Sequence, residues 1–108
     1  MSDVKELKGI QASPGEVNGR AIIIKSPKDL SKMQEGGIIV CPFSNPYYTP
    51  AMVMASGMVT DKGGSTSHAA IVARELGIPC VVNTEKATQI LKDGTEVFID
   101  GRGNVIYK

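Results

Sequence analysis

The stretch Gly63-Gly64-Ser65-Thr66-Ser67-His68-Ala69-Ala70-Ile71-Val72-Ala73-Arg74-Glu75-Leu76-Gly77-Ile78-Pro79-Cys80-Val81-Val82 reads as a glycine turn, a capped helix, a glycine stop and a buried strand. Thr66 or Ser67 supplies an N-cap oxygen, and Ala69, Val72, Ala73 and Leu76 recur at the spacing of one helix face. Gly77 stands where a left-handed C′ residue belongs, and Pro79 prevents continuation.

The start of such a helix leaves about four backbone N–H groups without intrahelical partners and carries partial positive charge. Helices often place Asp or Glu there, yet from Gly63 to Arg74 there is no carboxylate. The segment offers two glycines, three hydroxyls and His68, the only histidine of the chain. Glycines let backbone approach an anion, hydroxyls donate to phosphate oxygens, and a neutral imidazole nitrogen can take a phosphoryl group covalently. Gly63, Gly64, Ser65, Thr66 and Ser67 are therefore the candidate phosphate-binding residues, with His68 as the acceptor. Gly63 and Gly64 would form a strand-to-helix turn in any case, and Thr66 and Ser67 would serve as plain caps.

The pattern Gly-Gly-x-Thr-Ser-His-Ala-Ala-Ile-Val-Ala-Arg-Glu-Leu-Gly-Ile-Pro resembles the swivelling phosphohistidine (mobile) domain of phosphoenolpyruvate-utilising enzymes. That group includes phosphoenolpyruvate synthase, pyruvate phosphate dikinase and enzyme I of the sugar phosphotransferase system. The resemblance runs from about Gly9 to Tyr107 and implies an α/β fold of β/β/α type: two packed sheets with short helices and the histidine at a helix N-terminus. It makes residues 1–108 a single domain. It also implies that Nε2 of His68 is the phosphorylated nitrogen, a choice the residues alone leave open. In some relatives the threonine two before the histidine is phosphorylated by a regulatory protein, and Thr66 matches that position. After Val81-Val82 most relatives have glycine where this chain has Asn83, a residue that tolerates a left-handed backbone.

Phosphoryl transfer calls for a phosphate cradle, a magnesium site built from carboxylates and a donor pocket. The chain has no Walker-type glycine-lysine loop and no carboxylate cluster beside His68, so it reads as a carrier and not a complete kinase. The resemblance places Mg and ATP or phosphoenolpyruvate on partners, an ATP-grasp nucleotide-binding domain and a phosphoenolpyruvate/pyruvate-binding barrel, with no cofactor or metal bound by this domain itself. Two alternatives stand beside this: a non-catalytic binding or regulatory module that keeps the docking surface, and an anion-binding protein using the helix start alone.

Composition bounds these readings. Net charge is +1, with 12 basic and 11 acidic residues scattered along the chain, so no field able to attract nucleic acid is expected. No apolar run approaches a membrane span, and Met1-Ser2-Asp3-Val4-Lys5-Glu6 lacks the apolar core of a secretion signal. Cys41 and Cys80 lie in apolar segments and read as packed, reduced thiols, which fits a cytoplasmic protein. Cys41, Cys80 and His68 do not make a four-ligand metal set.

Elsewhere, Leu7 to Ala12 reads as a first strand, Val17 to Lys25 as a second, and Ser26-Pro27-Lys28-Asp29 as the start of a short helix with Ser26 as cap. From Ile38 to Val82 the order is strand, helix, strand, helix, strand, which predicts parallel pairing with His68 beyond the carboxyl ends of the strands. Thr49-Pro50 caps the first of those helices, with Thr49 as the capping residue. The loop containing Tyr47-Tyr48 is either a docking edge or packing, and Met33, Met52, Met54 and Met58 read as core filling. Asn83-Thr84-Glu85 opens a further short helix closed by Gly94, and Thr95–Asp100 with Asn104–Tyr107 forms a terminal hairpin. Arg74 reads as a partner for a carboxylate or a docking residue, and Glu75 as a solvated acid.

Overall fold

The computed structural model describes residues 4–108. Met1, Ser2 and Asp3, part of the segment read as lacking a secretion signal, lie outside the described residues. The strands are β1 (Lys5–Lys8), β2 (Ile10–Ser13), β3 (Val17–Ile23), β4 (Ile38–Cys41), β5 (Gly57–Thr60), β6 (Cys80–Val82), β7 (Glu96–Ile99) and β8 (Asn104–Tyr107). The helices are α1 (Thr49–Met54), α2 (His68–Leu76) and α3 (Ala87–Ile90), joined by 3-10 turns at Pro27–Lys32 and Pro46–Tyr48.

Strand order is β1-β8-β7-β3-β4-β5-β6-β2, and β3 belongs to both halves. Its first residues, Val17 to Arg20, pair antiparallel with β7, whereas Ala21 to Ile23 pair in parallel with β4. β4, β5 and β6 are mutually parallel, as the alternation of strands and helices requires.

Period-two alternation gives these parallel strands two buried faces. Ile38, Val40, Val59 and Val81 pack toward Leu7, Val97, Ile99 and Val105, so the two halves of the sheet face one another. Ile39, Cys41, Met58, Cys80 and Val82 point the other way, against Met52 of α1 and Ala69, Ala70 and Ala73 of α2. The layers are therefore sheet, sheet and the helices α1 and α2, the β/β/α arrangement expected, while Ala87 of α3 packs into the cluster on the other face.

The expected first strand is two strands. β1 pairs with β8 at one end of the sheet order and β2 with β6 at the other, so the chain must change partners between them, and Gly9 is the pivot. A side chain there would run into the Val82 carbonyl oxygen, and the Gly9 N–H donates to the Gly103 carbonyl at 2.8 Å. A hydrophobic run cannot report a change of partner.

Two caps also differ from expectation. Ser26 makes no side-chain cap; Asp29 instead accepts from the Lys25 N–H at 3.0 Å, and the segment is a 3-10 turn. Thr49 does not cap α1, whose entry is set by Asn45 accepting from the Tyr47 N–H at 2.9 Å. The third helix is shorter than expected: α3 ends at Ile90, not at Gly94. Thr84 and Glu85 are held out of it because their N–H groups donate to the Thr60 and Asp61 carbonyls. Asn83 has φ 60, the left-handed conformation anticipated for it. Met52 and Met58 are fully buried, while Met33 packs at the margin and Met54 is half-buried. Among the described residues no helix is long and apolar enough to cross a membrane.

Candidate functional site

β5 ends at Thr60, whose hydroxyl turns back onto the Lys62 carbonyl at 2.6 Å and starts the loop to α2. Asp61 and Lys62 donate their N–H groups to the carbonyls of Cys41 and Pro42, at 3.1 and 3.0 Å. These two bonds lock the loop after β5 to the loop after β4. Gly63 follows at φ 112, a conformation that favours glycine, and a Cβ there would also sit tightly against the Ser67 side chain, at 3.1 Å. Gly64 meets nothing within 4 Å of an added Cβ, so the space on its side is open.

Ser67 is the N-cap of α2, with extended backbone and a hydroxyl that accepts from the Ala70 N–H at 3.4 Å. The choice left open between Thr66 and Ser67 falls to Ser67. Gly77 closes the helix at φ 73, and its first turn carries no acidic residue. Among the described residues nothing bonds the hydroxyls of Ser65 and Thr66, both of which are on exposed residues.

His68 is the first residue of α2 and is half-buried. Its Nδ1 lies 3.0 Å from the Ser44 hydroxyl, which in turn lies 3.6 Å from the Met52 thioether. A hydroxyl has one proton. That proton has two acceptors within reach: if it goes to sulfur, Oγ accepts from Nδ1–H and the lone pair of the neutral ring is on Nε2; if it goes to Nδ1, the ring proton is on Nε2. Ser44 was not among the sequence candidates. The signal that could have found it is topological, because Pro42-Phe43-Ser44 follows β4 and β5 leads into His68, so parallel pairing brings both loops to the same sheet edge.

Next to Ser44 the loop after β4 splits its aromatics. Tyr48 is buried at 4 % exposure, whereas Tyr47 is 77 % exposed and Phe43 57 %. The packing reading of the tyrosine pair holds for Tyr48, and Tyr47 is exposed. Clefts of about 470 and 440 Å³ open near Arg20 and are not lined by His68.

The carboxylate partner that was one of the two readings of Arg74 is not found among the described residues. Arg74 Nη1 donates to the Ala12 carbonyl and Nη2 to the Ser65 carbonyl, each at 2.8 Å. Glu75 is exposed, as expected of a solvated acid. Cys41 and Cys80 are free and fully buried. Burial pushes the Cys41 thiol far above its usual range, with Cys80 and Asp61 adding to it, and pushes Cys80 up to about 12 against an opposing effect of Arg74. Neither thiol forms a thiolate at neutral pH.

Residues 33–103 match the family model described as PEP-utilising enzyme, mobile domain. The chain is 52 % identical over 102 residues to phosphoenolpyruvate synthase of Pyrococcus furiosus, a match that covers 94 % of this chain and 12 % of that protein. Phosphoenolpyruvate synthase of Aeropyrum pernix is 48 % identical over the same fractions of the two chains. The chain thus spans about an eighth of the length of these relatives. Among solved structures, a solution structure of Enzyme I (nEIt) is 39 % identical with a TM-score of 0.63, covering 73 % of this chain and 33 % of that one. The crystal structure of aconitase X from Thermococcus kodakaraensis superposes with a TM-score of 0.72 at 18 % identity, covering 96 % of this chain and 98 % of that one, and speaks for the fold alone. The helix start, the glycine turn and the β/β/α layers meet in one conclusion: this chain belongs to the PEP-utilising enzyme mobile-domain family.

Proposed function

We propose that the chain is a phosphoryl carrier in which His68 is transiently phosphorylated on Nε2. The observation that carries this reading is the hydrogen bond at Nδ1, since a ring held there by Ser44 presents its other nitrogen as the nucleophile. In the step itself, the Nε2 lone pair attacks the donor phosphorus and an Nε2–P bond forms. The bond from phosphorus to the donor oxygen breaks, and its electron pair leaves with that oxygen. The ring is then a phosphoimidazolium whose Nδ1 proton stays on the hydrogen bond to Ser44. Delivery is the reverse, with an acceptor oxygen displacing the ring nitrogen.

The new group carries about −1.5 to −2 charge on phosphate-like oxygens. In this reading the exposed hydroxyls of Ser65 and Thr66 bind it, Ser67 holds the helix start, and Gly63 and Gly64 keep the turn open. Thr66 is also the position at which regulatory phosphorylation would fall. Mg with ATP or phosphoenolpyruvate belongs to the partners, an ATP-grasp site and a phosphoenolpyruvate/pyruvate barrel, on the rest of a longer protein or on separate chains. The exposed Phe43 and Tyr47 beside Ser44 suit a surface that must dock against more than one such site. We place this traffic in the cytoplasm, with residues 1–108 moving as one domain.

The test is transfer of labelled phosphate from ATP (β or γ position) or phosphoenolpyruvate onto the purified chain in an extract of its source organism. Label on wild type but not on His68→Ala, lost in acid and kept in alkali, is the expected result. No label from either donor, in an extract with demonstrated synthase activity, overturns the proposal in favour of a binding module.

A further inference from the structure

Within the site loop, one peptide is held from a distance. The Ser65 carbonyl, three residues before His68, accepts from Arg74 Nη2 at 2.8 Å, and the same guanidinium reaches the Ala12 carbonyl in β2 at 2.8 Å. Arg74 lies in the last turn of α2, and its side chain leans back along the helix toward the N-terminus as helical side chains do. It therefore ties together the site loop, α2 and β2.

The consequence follows from peptide geometry. In a planar trans peptide the C=O and the following N–H point in opposite directions. Pinning the Ser65 carbonyl to the guanidinium turns the Thr66 N–H away from Arg74. Among the described residues nothing accepts from that N–H, although the neighbouring Ser67 N–H is used locally, on the Gly64 carbonyl at 3.1 Å. The guanidinium likewise has no carboxylate partner among the described residues, and the segment from Gly63 to Arg74 contains no carboxylate.

We propose that Arg74 is a positioning residue for phosphoryl transfer: by holding the Ser65 carbonyl it aims the Thr66 N–H at the phosphoryl group on His68, without touching that group itself. This rests on the carrier reading above. Arg74 acts through backbone orientation and, secondarily, through its charge. Lysine, a point charge without the planar fork, keeps the charge but not the two-carbonyl geometry.

The experiment uses phosphoramidate, which phosphorylates histidine without a partner enzyme, on the ¹⁵N-labelled chain. Wild type, Arg74→Met and Arg74→Lys are compared by the Thr66 amide signal before and after phosphorylation and by the hydrolysis rate of the phosphohistidine. In wild type the Thr66 amide proton moves strongly downfield on phosphorylation. In Arg74→Met that movement is lost and hydrolysis is faster by about tenfold, the scale of one hydrogen bond to a charged group. Arg74→Lys, which keeps the stem and the charge, shows a rate between the two and a weakened amide shift. Amide spectra of the unphosphorylated variants report whether each is folded, and Arg74→Lys alone decides the matter if Arg74→Met is not. A Thr66 shift and a hydrolysis rate equal to wild type in the folded variants overturn the role of Arg74 and leave the carrier reading standing. A wild-type chain whose His68 takes no phosphoryl group overturns both.

Discussion

At the level of single residues the site depends on which nitrogen of His68 is free. The Ser44 hydroxyl lies 3.0 Å from Nδ1 and 3.6 Å from the Met52 thioether, and in the proposed carrier its proton goes to sulfur, Nδ1 keeps the ring proton and Nε2 is free. Ser44→Ala removes that bond and lets the ring populate both tautomers. Phosphorylation of His68 is expected to slow by about tenfold, the value of one hydrogen bond to a group that becomes charged. Two-bond ¹H–¹⁵N spectra, uncomplicated because the chain has one histidine, are expected to show a single Nδ1–H tautomer in wild type and a mixture in Ser44→Ala. Wild-type spectra dominated by Nε2–H contradict the assignment. Asn83, at φ 60, gives a second test at this scale. Asn83→Ala is expected to cost about 1 kcal/mol in urea unfolding, whereas Asn83→Gly is expected to be near neutral.

Among the elements, α2 is the one whose details were most legible in advance. Its glycine stop and its proline beyond are local features and lie where the residues put them; of its expected apolar face Ala69 and Ala73 are buried and Val72 partly so, but Leu76 is exposed and Ala70 is buried instead. Its cap was legible only as a pair of candidates, because choosing Ser67 over Thr66 requires the turn geometry at Gly63. What was not legible was held from afar. Ser44 meets His68 across 24 positions. The carboxylate of Asp61 caps α3 across 27, accepting from the Thr88 N–H at 2.9 Å and from its hydroxyl. Arg74 bonds Ala12 across 62. The single strand read from Leu7 to Ala12 failed for a similar reason, since alternation within it is indifferent to which partner each half takes. Substitutions in α2 should separate stability from transfer. Ser67→Ala is expected to cost about 1 kcal/mol of stability as a lost cap. Ala73→Leu, forcing a large side chain between α2 and the sheet, is expected to cost about 1–3 kcal/mol. Both are read from urea midpoints, and a midpoint unchanged for Ala73→Leu contradicts the close packing of α2 on β6.

At the scale of the whole molecule, two properties follow from burial and charge. Cys41 and Cys80 are fully buried thiols with raised pKa values, so neither is expected to react with a maleimide reagent until the chain unfolds. Labelling of the native protein within minutes contradicts the packed sheet–helix core. Acid sensitivity comes from the aspartates. The Ile23 N–H, with Lys32, holds Asp93 below its ordinary 3.8, the Lys25 N–H does the same for Asp29, and the Asn104 amide for Asp100. Because their folded values lie below the unfolded ones, the unfolded chain binds more protons in that range, and stability rises with pH. Their contribution is complete above about pH 4 to 5 and is lost as pH falls through the folded values. Urea midpoints are expected to drop below that pH, and Asp93→Asn is expected to reduce the drop. A midpoint flat from pH 5 to pH 3 in wild type contradicts these placements.

All of this converges on a single nitrogen atom. The most direct test is a ³¹P-coupled ¹H–¹⁵N spectrum of the chain after transfer from ATP or phosphoenolpyruvate by its partner enzymes, read at the one histidine it contains. The account predicts phosphorus coupled to Nε2 of His68, with Nδ1 still facing Ser44. Phosphorus on Nδ1, or phosphate found only as a serine or threonine ester, contradicts it.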